Sequence, residues 1–187
     1  MVYKRFQYSN GLDIIAPLKH GTRWLTEETN PLFVIEDPLS GTNLKLHKIT
    51  NKTYWVYREP EEHLISALMT EIRGTIELEE YETERIINSF MIGTGTHWGP
   101  NVFKTMFTYW NRYRVKPIHL SQLSTLFPTD VKFDKTNYQM NYYTKTKYDT
   151  DFIIDYIGNE TYIKLKKISE IDKPYLDNIL NNKHNLI

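Results

Sequence analysis

The chain has no cysteine, which excludes disulfides and thiolate zinc sites and fits a reducing, cytoplasmic setting. It has no net charge either, with 23 Lys and Arg against 23 Asp and Glu. No global field therefore draws it to nucleic acid or to an anionic membrane, and any basic site must be local. No apolar run approaches the length of a membrane span. Met1 to Asn10 is polar and aromatic and lacks the apolar stretch of a secretory signal. Glycine and proline are sparse, at 8 each in 187 residues, and no linker, repeat or low-complexity tract divides the chain. Residues 1–187 read as one domain, large enough for a real core. The Walker A pattern is missing, which argues against an ordinary nucleotide triphosphatase. His63, His119 and His184 have no partners at metal-ligand spacing, so no metal is expected.

What is present is an alternation of short apolar runs and helical stripes. Leu12–Pro17, Leu32–Glu36, Leu44–Ile49, Tyr54–Tyr57 and Lys116–Leu120 read as strands. Thr22–Thr29, the segment from Pro60 through Ile72, Glu82–Met91, Asn101–Tyr113 and Pro174–Leu180 read as helices. Phe152–Ile157 and Thr161–Ile168 flank Gly158-Asn159 and suggest a hairpin. The alternation predicts an α/β fold, a three-layer sandwich with a mostly parallel central sheet. Ligands in such sheets sit outside the carboxyl ends of the strands.

Two strand ends stand out. In Ala16-Pro17-Leu18-Lys19-His20-Gly21-Thr22-Arg23-Trp24-Leu25 an apolar run stops, and a Lys, a Gly and a Thr follow at once. Gly21 permits close backbone approach, Lys19 adds a movable charge and Thr22 a hydroxyl at a helix start, the parts of a phosphate-binding turn. The plainer reading is a strand–turn–helix with Lys19 in solvent. In Tyr54-Trp55-Val56-Tyr57-Arg58-Glu59-Pro60 a second apolar run ends in an Arg, with Ser66 eight positions on. An Arg fork binds phosphate in bidentate fashion, and a Ser hydroxyl completes the contact. The alternative is that Arg58 pairs with Glu59, Glu61 or Glu62.

Together these segments resemble the sulfotransferases that use 3′-phosphoadenosine 5′-phosphosulfate (PAPS), a family with a P-loop-like fold. Lys19, Gly21, Thr22 and Trp24 fall on that family's Pro-Lys-Ser-Gly-Thr-Thr-Trp loop, and Arg58, Pro60 and Ser66 on its Arg-x-Pro and Ser motif. Thr96-His97-Trp98-Gly99-Pro100-Asn101 looks like the His-Trp-x-Pro-Gln segment of the carbohydrate branch, and Ile118-His119-Leu120-Ser121-Gln122-Leu123 is similar to its Leu-Glu-Asp-Leu strand end. The chain departs at Leu18, which is extra, at His20 in place of Ser and at Arg23 in place of Thr. Only 39 positions separate Lys19 from Arg58, and no Arg-Lys-Gly element follows near the C-terminus.

The resemblance implies transfer of a sulfuryl group from PAPS to a hydroxyl acceptor, with a saccharide hydroxyl favoured by the segment around His97. Adenosine 3′,5′-bisphosphate (PAP) is then the product, and no metal takes part. Lys19 is the implied catalytic cation at the leaving oxygen. His20, Gly21, Thr22, Arg23 and Trp24 join it in the donor loop, Arg58 and Ser66 hold the 3′-phosphate, and His97 and Trp98 face the acceptor. His47, in a segment that looks like the family's Lys-Thr-His strand end, is the first candidate for the general base. Glu27 and Glu28 are its rivals. The cluster Lys164-Leu165-Lys166-Lys167 reads as the solvated side of a strand, with a polyanionic acceptor as the other use. Two other readings remain: a small P-loop kinase, and a degenerate domain that binds a nucleotide or partner without catalysis. The richness in Lys, Asn, Ile and Tyr suggests an AT-rich viral or bacterial genome.

Overall fold

The computed structural model describes residues 2–75, 80–92, 98–99, 101–127, 140–141, 146–147 and 150–182. Its elements in chain order are β1 (Tyr3–Gln7), β2 (Asp13–Pro17), α1 (Thr22–Glu28), β3 (Phe33–Glu36), α2 (Gly41–Leu46), β4 (Thr53–Tyr57), α3 (Pro60–Thr75), α4 (Glu80–Met91), α5 (Val102–Tyr113) and β5 (Lys116–His119). A 3₁₀ helix (Leu120–Leu126), the two-residue strands β6 (Met140–Asn141) and β7 (Thr146–Lys147), and helices α6 (Thr150–Ile157), α7 (Asn159–Ser169) and α8 (Lys173–Asn181) follow.

β1 to β5 form one sheet in the order β3-β1-β2-β4-β5. β2, β4 and β5 run parallel, as the alternation predicts. β1 is antiparallel to both β2 and β3, so the sheet is mixed rather than mostly parallel. The cause lies in the turn Tyr8 to Leu12. Gly11 takes a φ of 83°, its N–H donates to the Tyr8 carbonyl at 3.0 Å, and the Asn10 side chain accepts from the Leu12 N–H. Asn-Gly between two apolar runs is a strong hairpin signal, and it folds β1 back on β2.

Two further expectations are corrected. Leu44–Ile49 is not a strand, because its first half belongs to α2, which ends at Leu46. The Ser40 hydroxyl accepts from the Asn43 N–H and starts that helix before the apolar alternation can act. Phe152–Ile157 and Thr161–Ile168 are not a hairpin but helices α6 and α7, joined at Gly158. Ile153 and Ile157, then Tyr162 and Leu165, are buried at helical spacing against α3.

Helices cover both faces of the sheet. Tyr3, Ile15, Trp55 and Tyr57 pack on α5 and α8 through Phe103, Met106, Trp110, Leu176 and Ile179. Phe6, Ile14, Ala16, Val56 and Ile118 pack on Trp24 and Leu25 of α1 and on Leu120 and Leu123 of the 3₁₀ helix. A third core, of Leu64, Leu68, Ile72, Phe90, Trp98, Ile153 and Leu165, binds α3, α4, α6 and α7 into a separate helical layer. Among the described residues no helix is long and apolar enough to cross a membrane.

The amino ends of the strands are pinned by a buried network. Arg5 donates twice to Asp13, at 2.7 Å each, and the Thr53 hydroxyl donates to the same carboxylate at 2.6 Å. Removing one partner of such a pair strands the other charge. Asp13→Ala is expected to cost about 3–5 kcal/mol in urea unfolding, with an unchanged denaturant dependence. A loss below about 1 kcal/mol would show that packing alone sets the register.

Candidate functional site

The carboxyl ends of the three parallel strands deliver basic side chains to one place. Beyond β2, the chain turns through Pro17 to His20, closed by the His20 N–H on the Pro17 carbonyl at 3.0 Å. Lys19 occupies the third position of this turn with φ 67°, in the left-handed region. A non-glycine residue there costs about 1 kcal/mol or more, and such strain gathers at functional positions. Gly21 follows with φ 82° and precedes α1. A methyl group at Gly21 would stand 2.7 Å from Leu120 Cδ1, so both conformation and space call for glycine.

β4 ends at Tyr57, and Arg58 follows it, buried at 3% exposure. α3 begins two residues later and carries Glu62, His63 and Ser66; His63 and Ser66 are both buried. β5 ends at His119, whose ring packs edge-on against Tyr57 at 5.2 Å. The His119 Nδ1 accepts from the Ser121 N–H at the start of the 3₁₀ helix, and its Nε2 lies 3.6 Å from Glu62 Oε2.

The charges of these groups act on one another. Burial pushes the Lys19 ammonium down to about 8; the Glu71 carboxylate opposes that shift, and the Arg58 guanidinium adds to it. Lys19 and Arg58 are therefore within electrostatic reach of each other, on one side of the sheet ends. For Glu62, burial acts upward, but the nearby His119 ring and the Arg58 charge outweigh it and hold the carboxyl below its usual value. Two carboxylates, Glu62 and Glu71, thus face two desolvated cations.

His20 serves differently from the expectation of a phosphate contact. Its ring is fully buried and its Nδ1 lies 3.1 Å from the Val56 carbonyl. A carbonyl only accepts, so Nδ1 carries the proton and Nε2 keeps its lone pair. Burial, followed by the nearby His63 and Arg58, depresses the imidazole well below its usual pKa and keeps it neutral. The His63 ring meets it edge-on at 4.5 Å. His20 is thus a brace that ties the loop after β2 to β4 beneath Arg58.

The structure brings together Lys19, His20, Gly21, Thr22 and Arg58 of the residues expected from sequence, and places Ser66 in the buried part of α3, three positions after His63. Others lie elsewhere. His47 caps the end of α2, and its carbonyl is bound by Arg5 at the amino end of the sheet. β2 is five residues long, so that end is about 13 Å from the carboxyl end. Glu27 pairs with Arg23 at 2.6 Å along α1, and Glu28 is exposed on the same helix. Trp24 is core, edge-on to Phe127 at 5.4 Å. Trp98 is buried in the helical layer and stacked on Phe90 at 5.4 Å. His97 lies outside the described residues.

Sequence reasoning missed Glu71 and gave His63 no task; it offered Glu62 only as an alternative ion-pair partner of Arg58, which fits the action of the Arg58 charge on Glu62, and it placed His119 in a strand-end segment without a role of its own. A signal existed in α3. His63 and Ser66 are polar residues set among Leu64, Ala67, Leu68 and Met69 on a helix buried along most of its length. Buried polar groups need partners, and for His63 one neighbour is the His20 ring after β2. Among the described residues no group of three or more His, Asp or Glu is arranged to hold a metal ion. No protein-family model matches this chain, and neither a curated protein nor a solved structure shows significant similarity to it.

Proposed function

We propose that this protein is a compact sulfotransferase that takes a sulfuryl group from PAPS and passes it to a hydroxyl acceptor, a saccharide hydroxyl in the first instance. The observation that carries the reading is the meeting of Lys19 and Arg58. They are 39 positions apart in sequence, yet the charge of one acts on the other across the ends of neighbouring parallel strands. Two desolvated cations that repel each other suit a ligand with more than one negative charge, because the ligand relieves both the repulsion and the burial.

The donor supplies an activated sulfuryl group and a phosphate that leaves with negative charge. Lys19, held in its strained turn, is the group that meets that charge, and its position is fixed before the ligand arrives. Arg58 and Ser66 grip the distal phosphate, and His20 keeps the two halves of the cradle in register through Val56. The proton-accepting role passes from His47 and Glu27 to the carboxylates that face the cations, Glu62 and Glu71. A second reading, a nucleotide-binding domain without catalysis, is favoured by the positions of His47 and Glu27 outside the cluster.

PAP at a hundred times its dissociation constant is expected to stabilise the protein by about 2.7 kcal/mol. For a chain of this size that raises Tm by about 5–10 °C. ATP with magnesium is expected to do much less. Stabilisation by ATP alone would favour a kinase, and stabilisation by neither would remove the nucleotide site. Arg58→Ala should weaken PAP binding while Lys19→Ala abolishes transfer with the fold intact. PAP binding without transfer to any hydroxyl acceptor would leave the non-catalytic reading standing.

The depressed Lys19 pKa adds a pH signature. Bound phosphate favours charged Lys19, and the free protein loses that proton as the pH rises through about 8. Binding above that point must take up a proton, so PAP affinity should fall by up to about tenfold per pH unit. Calorimetric titration from pH 7 to pH 9.5 measures it. Lys19→Arg, which stays charged over this range, should flatten the profile.

A further inference from the structure

Residues 38–58 contain no Asp or Glu, and neither do residues 86–129. The parallel pairing of β4 with β5 joins these two stretches, with Tyr54 opposite Lys116. Lys48 and Lys52 stand on the approach to β4, and Arg112, Arg114 and Lys116 lead into β5. All five are exposed at the amino end of the sheet, the end opposite Lys19 and Arg58. No described carboxylate forms an ion pair with any of them. Asp13, the buried carboxylate at this end, is already taken by Arg5 and Thr53. Asp37 stands at the other end of the sheet, where its N–H donates to the Tyr3 carbonyl opposite Pro17, although its charge, like that of Arg112, reaches Tyr109.

Three of the cations are held against rings. Arg112 lies over Tyr113 at 5.1 Å, Arg114 over Trp110 at 5.5 Å and Lys116 over Tyr54 at 5.6 Å. These contacts fix the charges in place without neutralising them. They also cover ring faces on which nucleobases would stack. What remains is a row of fixed positive charge that offers little apolar surface to a protein partner. The α7 lysines contrast with it: Lys164 pairs with Glu160 at 2.7 Å and Lys166 with Glu61 at 2.8 Å.

We propose that the amino end of β4 and β5, with Lys48, Lys52, Arg112, Arg114 and Lys116, is a docking surface for a linear acidic polysaccharide. Such a chain carries sulfate or carboxylate groups at regular intervals along an extended backbone, and a row of exposed, unpaired cations matches it. The surface stands apart from the candidate site and does not depend on the chemistry proposed there.

The test is calorimetric titration of the full chain with a heparin octasaccharide at several salt concentrations. Wild-type protein is expected to bind, with affinity falling steeply as salt rises. The triple variant Arg112→Gln, Arg114→Gln, Lys116→Gln should bind at least tenfold more weakly, with a shallower salt dependence and an unchanged Tm. Lys164→Gln with Lys167→Gln, and separately Lys19→Ala, should bind as wild type does. Absence of wild-type binding would overturn the proposal. So would an equal loss in the α7 variant, or a loss in Lys19→Ala, which would move the ligand to the donor site. Tighter binding of an oligothymidylate of equal charge would overturn it in favour of nucleic acid.

Discussion

Asp13 ties three strands together at one level of the sheet. Its carboxylate accepts from Arg5 on β1 and Thr53 on β4 while sitting on β2 itself. Arg5 also binds the carbonyls of His47 and Lys48, which fixes the loop that feeds β4. β2 and β4 are both five residues long and pair from Asp13 opposite Thr53, so their carboxyl ends finish side by side. Lys19 follows one and Arg58 the other. A slip of one residue in this pairing would turn Ile15 and Trp55 toward the face now filled by Ile14 and Val56 and would break both cores. The geometry of the candidate site is thus set at the far end of the strands.

That arrangement is costly at the near end. Lys19 and Arg58 are desolvated and of like charge, and Lys19 stands in a left-handed turn. A glycine at position 19 would take the same turn without that strain. Glu62 and Glu71 offset part of the repulsion, and neutral His20 avoids adding to it. Groups held in an unfavourable electrostatic state by the surrounding fold are the usual mark of a site that waits for a charged ligand. α3 borders these groups through His63, whose ring meets His20, while its Leu64 and Leu68 pack in the third core.

The parallel half of the sheet was legible because its strands are short, apolar and bounded by Pro17, Arg58 and the residues around Lys116. Of the antiparallel half, β3 was legible as Leu32–Glu36, and β1 was hidden by composition, since it carries Lys4, Arg5 and Gln7. Arg5 is buried only because Asp13 receives it, and no local pattern in β1 announces that partner. Asn10-Gly11 was the one available sign. α2 and the α6–α7 pair were misread as strands because short apolar alternations fit either period, and the decision came from the Ser40 cap and from packing against α3. At the candidate site, Lys19, Gly21 and Arg58 could be singled out because they follow directly on apolar runs that end in sequence. The neighbourhood of Glu71, and that of His119 with Glu62, could not, because it arises from strand order and helix placement. His47 was assigned to the site on the same false strand that α2 replaced.

Net neutrality concealed a division of charge. The acids that balance the chain lie outside residues 38–58 and 86–129, so the β4–β5 pairing concentrates positive charge at both ends of the same two strands. The two ends differ in kind. Around Arg58 the charge is buried, opposed by Glu62 and Glu71, and responsive to pH through Lys19. Around Arg114 it is exposed, held against aromatic rings and without an ionic partner among the described residues. Buried charge of the first sort selects a small ligand that fits a fixed cradle, whereas exposed charge of the second sort attracts any extended anion and loses force as salt rises. On the readings proposed above, one end of this strand pair selects a small ligand and the other captures a large one. Each end can then vary without disturbing the register that Asp13 holds between them.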